Sequence, residues 1–184
     1  MKVEDLKKLL QSEEVLSNSD LKEDLESLFN KNRDVSDNLS IYPLNISVDT
    51  YKYLLENHNL NLRLFFESII QCEPGEKHDQ LLDLALSRKI DFFSTYSLPS
   101  SISISDLEKC FDHGLTLTRA ITLVLGCDHN PSDNINIELQ EKLVKYLLEK
   151  QANFSDVYSV PGYFSEEVYE LMLEKGLKVD SLFS

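Results

Sequence analysis

Four residues in the middle of the chain have the types and the spacing of a zinc site. Cys110 and His113 form a C-x2-H pair, and after thirteen intervening residues Cys127 and His129 form a C-x-H pair. Zinc prefers thiolate and imidazole ligands, and residues three positions apart on a helix can share one ion. A zinc site made by these four side chains is therefore one hypothesis for this sequence.

The same region contains the closest approach to a nucleophilic enzyme. Cys127 lies two positions before His129, and an imidazole beside a thiol can activate it for attack. The sequence contains no G-x-S-x-G, P-loop, G-x-G-x-x-G or H-E-x-x-H motif. We expect no catalytic residue, no cofactor and no metal, and we keep an unrecognised hydrolase or zinc enzyme as an alternative.

The segments that would position these residues occur more than once along the chain. Residues 158–176, YSVPGYFSEEVYELMLEKG, follow the pattern of residues 96–114, YSLPSSISISDLEKCFDHG, 62 positions earlier. In three copies a proline is followed by a serine at offset four and by apolar residues at offsets eight, eleven and twelve, which share one helix face. The copies are Pro43, Ser47, Tyr51, Leu54, Leu55; Pro99, Ser103, Leu107, Cys110, Phe111; and Pro161, Ser165, Tyr169, Met172, Leu173.

Each copy predicts a helix, which we call helix A. The serine at offset four can cap the first turn, so the helix is predicted to begin directly after it. In the second copy Ser105 and Glu108 could instead form a capping box that moves the start by two residues. Gly114 and Gly176 are predicted to end the helix in a left-handed conformation.

Two more helices follow helix A in each full unit. Residues 60–72 align with 115–127 as helix B, and residues 81–92 align with 143–154 as helix C. Polar loops, 73–79 in the first unit and 128–138 in the second, join helix B to helix C.

The repeat also predicts the environment of single side chains. His58 lies at a helix end and His78 lies in a loop, so both are predicted to face solvent. Cys110 has a repeat position that is predicted to be in the core.

The predicted fold class is all-α, a helical repeat solenoid with an N-terminal cap. Residues 1–42 supply the capping helices, and residues 43–184 form the repeats, with units 43–98 and 99–160 and a half unit 161–184. A cap is expected because a stack of repeats leaves an apolar face open at its end. A detachable arm that docks on a partner is the alternative for these helices, the second of which is amphipathic. Its apolar residues are Leu21, Leu25, Leu28 and Phe29.

The phrases KLVKYLLEKQANF, YELMLEKGLKV and LEKCFDHGLTL resemble the outer-helix ending of ankyrin repeats, whose usual form is a run such as VVKLLLEKGADVN. Helix B followed by helix C then resembles an ankyrin inner and outer pair, and the resemblance covers residues from about 43 to 184. It implies a stack that binds other proteins. Divergent arrays of this kind are similar to those of large DNA viruses and intracellular bacterial effectors, where they bind host proteins.

The net charge of the chain disfavours some classes of binding partner and favours others. Eighteen basic and 32 acidic residues give a net charge of -14, which disfavours nucleic acid and anionic membranes and favours a basic protein. An acidic nucleic-acid mimic is an alternative function.

The sequence also predicts where the protein is located. It has three cysteines, no long apolar window and no signal peptide. We therefore expect an intracellular, cytoplasmic protein, or one of the host cytoplasm or nucleus if it is viral.

We therefore predict a non-enzymatic protein-protein interaction module that binds and inhibits a host factor. It is expected to be a monomer, or a weak homodimer through the C-terminal half unit. The tyrosine before each repeat proline either packs its ring on the next unit or forms an exposed recognition ridge. The loops between helices B and C supply acidic candidates. The predicted partner-binding residues are Tyr42, Tyr96, Tyr158, Glu73, Glu76, Asp128 and Asp133.

Overall fold

The structure is a computed structural model. It describes residues 9–10, 12, 14–31, 46–58, 60–94, 98, 102–125, 137–178 and 180, with the side chains of residues 28–31 not included. Its helices are α1 (Ser19–Lys31), α2 (Val48–Asn57), α3 (Leu62–Ile69), α4 (Glu76–Ser87), α5 (Ile104–Asp112), α6 (Leu117–Leu125), α7 (Ile137–Glu149) and α8 (Glu166–Glu174). These described ranges contain no strand, so the all-α prediction is confirmed.

The chain divides into two compact units, Met1–Ile90 and Asp91–Ser184. In the first unit α4 packs against both α2 and α3, and in the second unit α7 packs against both α6 and α8. Helices α2, α5 and α8 are the three copies of helix A, α3 and α6 are helix B, and α4 and α7 are helix C. The repeat boundaries given above remain a prediction.

The apolar stripes are buried in each unit as their spacing predicts. Leu54, Cys110 and Met172, which occupy the same repeat position, each have no exposed surface. The same holds for the helix C residues Leu81 and Leu147. Burying a side chain of this size contributes about 1.5 to 3 kcal/mol, so these stripes are the main source of stability in each unit.

Helix A begins at the predicted serine in all three copies. Ser47 Oγ accepts a hydrogen bond from the Thr50 N–H at 3.1 Å, and the two hydroxyls lie 2.7 Å apart. Ser103 Oγ accepts from the Asp106 N–H at 3.0 Å and donates to Asp106 Oδ2 at 2.7 Å. The alternative start at Ser105 is therefore wrong.

The third copy keeps the serine but not its capping bond. Ser165 precedes α8 in the expected extended conformation, and its side chain makes no capping hydrogen bond. The residue three positions later is Val168, which has no polar group to bond the serine hydroxyl. The Ser165 N–H instead donates to the Glu141 carboxylate of α7.

The ends of helices A and C are also repeated. Gly114 and Gly176 follow α5 and α8 with φ of 101° and 98°, as predicted. Helix C ends in the same left-handed region without glycine, at Lys89 with φ 59° and at Gln151 with φ 64°. These two residues are equivalent in the alignment of 81–92 with 143–154.

Helix C begins earlier than the sequence analysis places it. Helix α4 starts at Glu76, so the second half of the predicted loop 73–79 is helical. His78 is 1% exposed, and the prediction that it faces solvent is wrong. His78 lies three residues before Leu81, one helical turn away on the same buried face, and a loop assignment hides that relation. The side chain of His58 is also mostly buried, at 8% exposed.

Gln140 occupies in α7 the place that His78 has in α4, and it is fully buried. Its Nε2 donates to the Val124 carbonyl near the end of α6 at 2.7 Å, and its Oε1 accepts from the Tyr163 hydroxyl. A buried amide is tolerated because both of its ends are bonded. The residue thus ties helices B and C to the segment that enters α8.

Candidate partner-binding surface

Tyr158 lies on the segment between α7 and α8, and it is 82% exposed. The segment is held on both sides of it, since Phe154 and Val160 are buried. The Phe154 N–H donates to the Lys175 carbonyl at 2.9 Å, which fixes the segment on the end of α8. The structure therefore presents this ring to solvent, as a recognition ridge requires. Tyr42 and Tyr96 lie outside the described residues.

Phe93 is a second exposed ring, and the sequence analysis does not identify it. It is 76% exposed, whereas its neighbour Phe92 is buried. Its repeat counterpart is Ser155. A position that holds serine in the other copy is expected to lie at the surface. The sequence therefore contained a signal that Phe93 is exposed.

The Phe93 turn is fixed by hydrogen bonds within the turn and from α6, and the Ser94 N–H donates to the Asp91 carbonyl at 3.1 Å. Asp91 Oδ1 accepts from the Phe93 N–H at 3.0 Å, and Ser94 Oγ donates to the Asp91 carbonyl at 2.8 Å. From α6, Arg119 Nε donates to the Phe92 carbonyl at 2.9 Å and Nη2 donates to the Phe93 carbonyl at 3.0 Å. A guanidinium presents its donors in a fixed fork, so Arg119 holds two consecutive carbonyls at once.

The acidic candidates fall on different parts of the chain. Glu73 is exposed in the connection after α3, and Glu76 is exposed in the first turn of α4, where its carboxylate accepts from Gln80 Nε2 at 3.4 Å. Placing Glu76 in a loop was wrong, although its exposure agrees with a surface role. Asp128 and Asp133 lie outside the described residues.

Helix α8 carries acidic residues that the sequence analysis did not single out. Glu166, Glu170 and Glu174 are exposed and are spaced four residues apart, so they form one stripe along the helix. Glu167, beside this stripe, forms an ion pair with Lys145 of α7 at 2.6 Å. An exposed ion pair of this kind contributes little to the free energy of unfolding. The three glutamates of the stripe make the electrostatic potential of this helix face negative.

Of the four residues in the zinc hypothesis, the structure describes Cys110 and His113. Cys110 is fully buried, and burial raises the pKa of its thiol to about 12, with the charge of Asp106 adding to the rise. Full burial fits the core position that the repeat gives this cysteine. His113 is exposed at the end of α5, with Nδ1 2.9 Å from the Lys109 carbonyl oxygen. Cys127 and His129 lie outside the described residues.

The N-terminal helix α1 is joined to α2 by a polar cluster. The Tyr53 hydroxyl donates to the Glu26 carboxylate, and His58 Nε2 lies 3.4 Å from Glu26 Oε2. Lys22 Nζ lies 4.9 Å from the centre of the Tyr53 ring. The hydrogen bond to Glu26, with burial, raises the pKa of Tyr53 to about 12. Leu25 of α1 is fully buried, so this helix contributes to the core of the first unit.

Comparison with family models, with curated proteins and with solved structures found no match to this chain. Within the described residues, no helix has both the length and the apolar character needed to cross a membrane.

Proposed function

We propose that this chain is a non-enzymatic protein-binding module. The observation that carries the proposal is the exposure of Tyr158, an aromatic residue held on a fixed connection between helices. Exposed aromatic rings provide large contact areas at low entropy cost, and they are enriched at the centres of protein interfaces. Phe93 on its hydrogen-bonded turn adds a second ring of the same kind.

The arrangement that we propose is an ankyrin-like stack of near-copies. Equivalent positions have equivalent local structure, including the serine starts of helix A, the left-handed ends of helix C and the buried polar residues His78 and Gln140. Stacking would cover apolar stripes that a single unit leaves open. Connections between helices would then project repeatedly along one edge, where a partner can bind.

The partner that fits the charge is a basic protein. The net charge of -14 raises the encounter rate with a basic surface and makes association sensitive to salt. Exposed carboxylates such as Glu73 and Glu166 contribute to this attraction.

Affinity capture from cells that naturally contain this chain, followed by mass spectrometry, tests the proposal. Wild type is compared with a Phe93→Ser/Tyr158→Ser variant and with Ile104→Ser, a control that replaces another exposed apolar residue. We expect one protein to be retained by wild type and by the control, and to be lost with the double variant. Capture of the same proteins by all three, or of none, would contradict the proposal.

A nucleic-acid mimic is the second candidate, and the stripe of Glu166, Glu170 and Glu174 favours it. Regularly spaced carboxylates on one helix face can imitate a row of phosphates. Under this function a basic nucleic-acid-binding protein would be retained, added DNA would compete with the chain, and changing the three glutamates to glutamine would abolish retention. The Phe93→Ser/Tyr158→Ser variant would then bind like wild type.

A further inference from the structure

The first apolar position of helix A is less buried in the third copy than in the other two. Tyr51 in α2 and Leu107 in α5 have no exposed surface, whereas Tyr169 in α8 is half-buried. In α2 helix B of the same unit packs on this position, since the ring centres of Tyr51 and Phe65 lie 4.5 Å apart. Tyr169 instead contacts the segment directly before α8, through its ring and its hydroxyl. Part of a face that helix B covers in the first copy is therefore exposed in the third.

The exposed part of this face lies on the side of α8 away from α7. Glu167 and Lys175 contact α7 and the turn that follows it. With about 3.6 residues per turn, Tyr169 and Leu173 lie on the opposite side of the helix from these two residues. Leu173 is half-buried, like Tyr169. Together they form a partly exposed apolar strip, which we call the α8 strip.

Exposed glutamates border the α8 strip along its length. Glu166 lies three residues before Tyr169, and Glu170 lies three residues before Leu173, so each is a neighbour of the strip on the helix surface. Glu174 continues the row. Within the part of the chain that the structure describes, none of these three carboxylates forms an ion pair. An apolar seam with charged residues beside it is the pattern by which paired helices select a partner of opposite charge.

We propose that the α8 strip and its glutamates bind a basic amphipathic helix of a partner protein. The apolar residues of that helix pack on Tyr169 and Leu173, as helix B packs on Tyr51 in the first unit. Its lysine and arginine residues lie opposite the glutamates. This inference rests on the proposed protein-binding function, and it adds the surface and the kind of segment that is recognised.

The charge of this face disfavours a second copy of the chain as the occupant. In a symmetric dimer the same patch meets itself, so two rows of glutamates would approach each other and repel. The net charge of -14 opposes self-association as well. A basic segment gains from the same charges.

Two synthetic peptides of equal composition test the inference. The chain contains no tryptophan, so the fluorescence anisotropy of a peptide with one tryptophan reports its binding to the full chain. The amphipathic probe is a tryptophan followed by four helical turns of lysine and leucine, with the leucines three and four positions apart. The scrambled probe has its leucines spread over all helix faces. Charge attraction alone treats the two alike, whereas the α8 strip favours the amphipathic probe by about ten-fold.

The contribution of the glutamates is tested by changing all three to glutamine. This variant should bind the amphipathic probe about ten-fold more weakly at low salt. A matched control makes the same change in net charge on the first unit, at the exposed glutamates Glu14, Glu23 and Glu73. The control should weaken the probe by less than about two-fold, because it removes only long-range attraction.

The contribution of the apolar strip is tested by Leu173→Ser. This change should lower the ratio of the two probe affinities by about three-fold, because it removes apolar contact area. Leu55→Ser is the matched control, since Leu55 has the same repeat position in α2 and is also half-buried. It should keep the wild-type ratio. Urea unfolding verifies that each variant is folded.

Several results would overturn the α8 strip as a binding surface. Equal affinity for the two probes, or equal weakening by the two triple glutamine variants, would mean that net charge alone attracts the peptides. If neither probe binds wild type, the chain itself covers the strip. If wild type sediments as a dimer and Leu173→Ser as a monomer, the strip belongs to a second copy.

The peptide and capture experiments can fail separately. The Phe93→Ser/Tyr158→Ser variant should bind the amphipathic probe like wild type, because neither residue belongs to α8. A failed capture with a normal probe preference would overturn the proposed function of the exposed rings. A successful capture without a probe preference would overturn the α8 strip alone.

Discussion

Helix α2 of the first unit ends at His58 in an extended conformation with φ of -130°, whereas α5 and α8 of the second unit are followed by left-handed Gly114 and Gly176. His58 has the repeat position of those glycines. The difference follows from the neighbouring element, because His58 uses its side chain to contact Glu26 of α1. A glycine can end a helix but cannot make that contact. Near-copies therefore diverge where the neighbouring element differs.

The largest expected effect concerns the two glycines. Gly176→Ala should destabilise the chain by about 2 kcal/mol, because alanine is strained at φ 98° and its Cβ would lie 3.2 Å from Asn153 Oδ1. Gly114→Ala has the same strain and open space around it, so about 1 kcal/mol is expected. Urea unfolding measures both. Gly162→Ala is the control, and equal losses at positions 114 and 176 would show that crowding plays no part.

The serine caps provide the next comparison. Ser103→Ala should cost about 1 kcal/mol of unfolding free energy, because it removes the acceptor for the Asp106 N–H. Ser165→Ala should cost less than about 0.5 kcal/mol, because this serine makes no side-chain cap bond. The measurement is again urea unfolding. A loss at position 165 as large as that at position 103 would contradict the structural difference between the copies.

The polar cluster of α1 and α2 predicts a change with pH. The pKa of Tyr53 is raised to about 12, so the stability from its hydrogen bond to Glu26 is complete below about pH 10 and is lost as the pH rises through about 12. In Glu26→Gln, Tyr53 should ionise closer to pH 10, as followed by tyrosinate absorbance. Glu23→Gln, on the same helix and exposed, is the control. An unchanged titration in Glu26→Gln would disprove the coupling.

The smallest effect is expected for the ion pairs between helices C and A. In the first unit Arg88 Nη2 lies 3.0 Å from Glu56 Oε1. In the second unit Lys150, which has the repeat position of Arg88, has its Nζ 3.2 Å from Glu108 Oε1. Both pairs are exposed to solvent, which screens them. Arg88→Met and Lys150→Met should therefore unfold at urea concentrations indistinguishable from wild type. A clear shift in only one unit would show that the two pairs are not equivalent.

The sequence predicted the helix starts and stops well because they depend on neighbouring residues. Ser47 and Ser103 cap backbone groups three residues away, and Gly114 and Gly176 act on their own dihedral angles. The start of helix C was placed too late in the first unit, because the turn residues Pro74 and Gly75 were read together with the polar residues after them. His78 then appeared to belong to a loop.

The candidate surface was predictable only in part. The repeat alignment identified Tyr158, because a tyrosine precedes each repeat proline. It did not identify Phe93, because the aligned segments 81–92 and 143–154 end one residue before Phe93 and its counterpart Ser155. The conformation of the turn depends on Arg119, 26 residues away in the chain, which donates hydrogen bonds to the carbonyls of Phe92 and Phe93.

By itself the sequence determined that this chain is helical, where each helix A begins, and which stripe of each helix is apolar, because all three depend on contacts within about one helical turn. Only the tertiary structure decided the burial of His78 and Gln140 and the contact of Arg119 with the Phe93 turn. Those outcomes depend on groups that are distant in sequence. A local pattern cannot specify which backbone carbonyl or side chain will lie opposite a given residue.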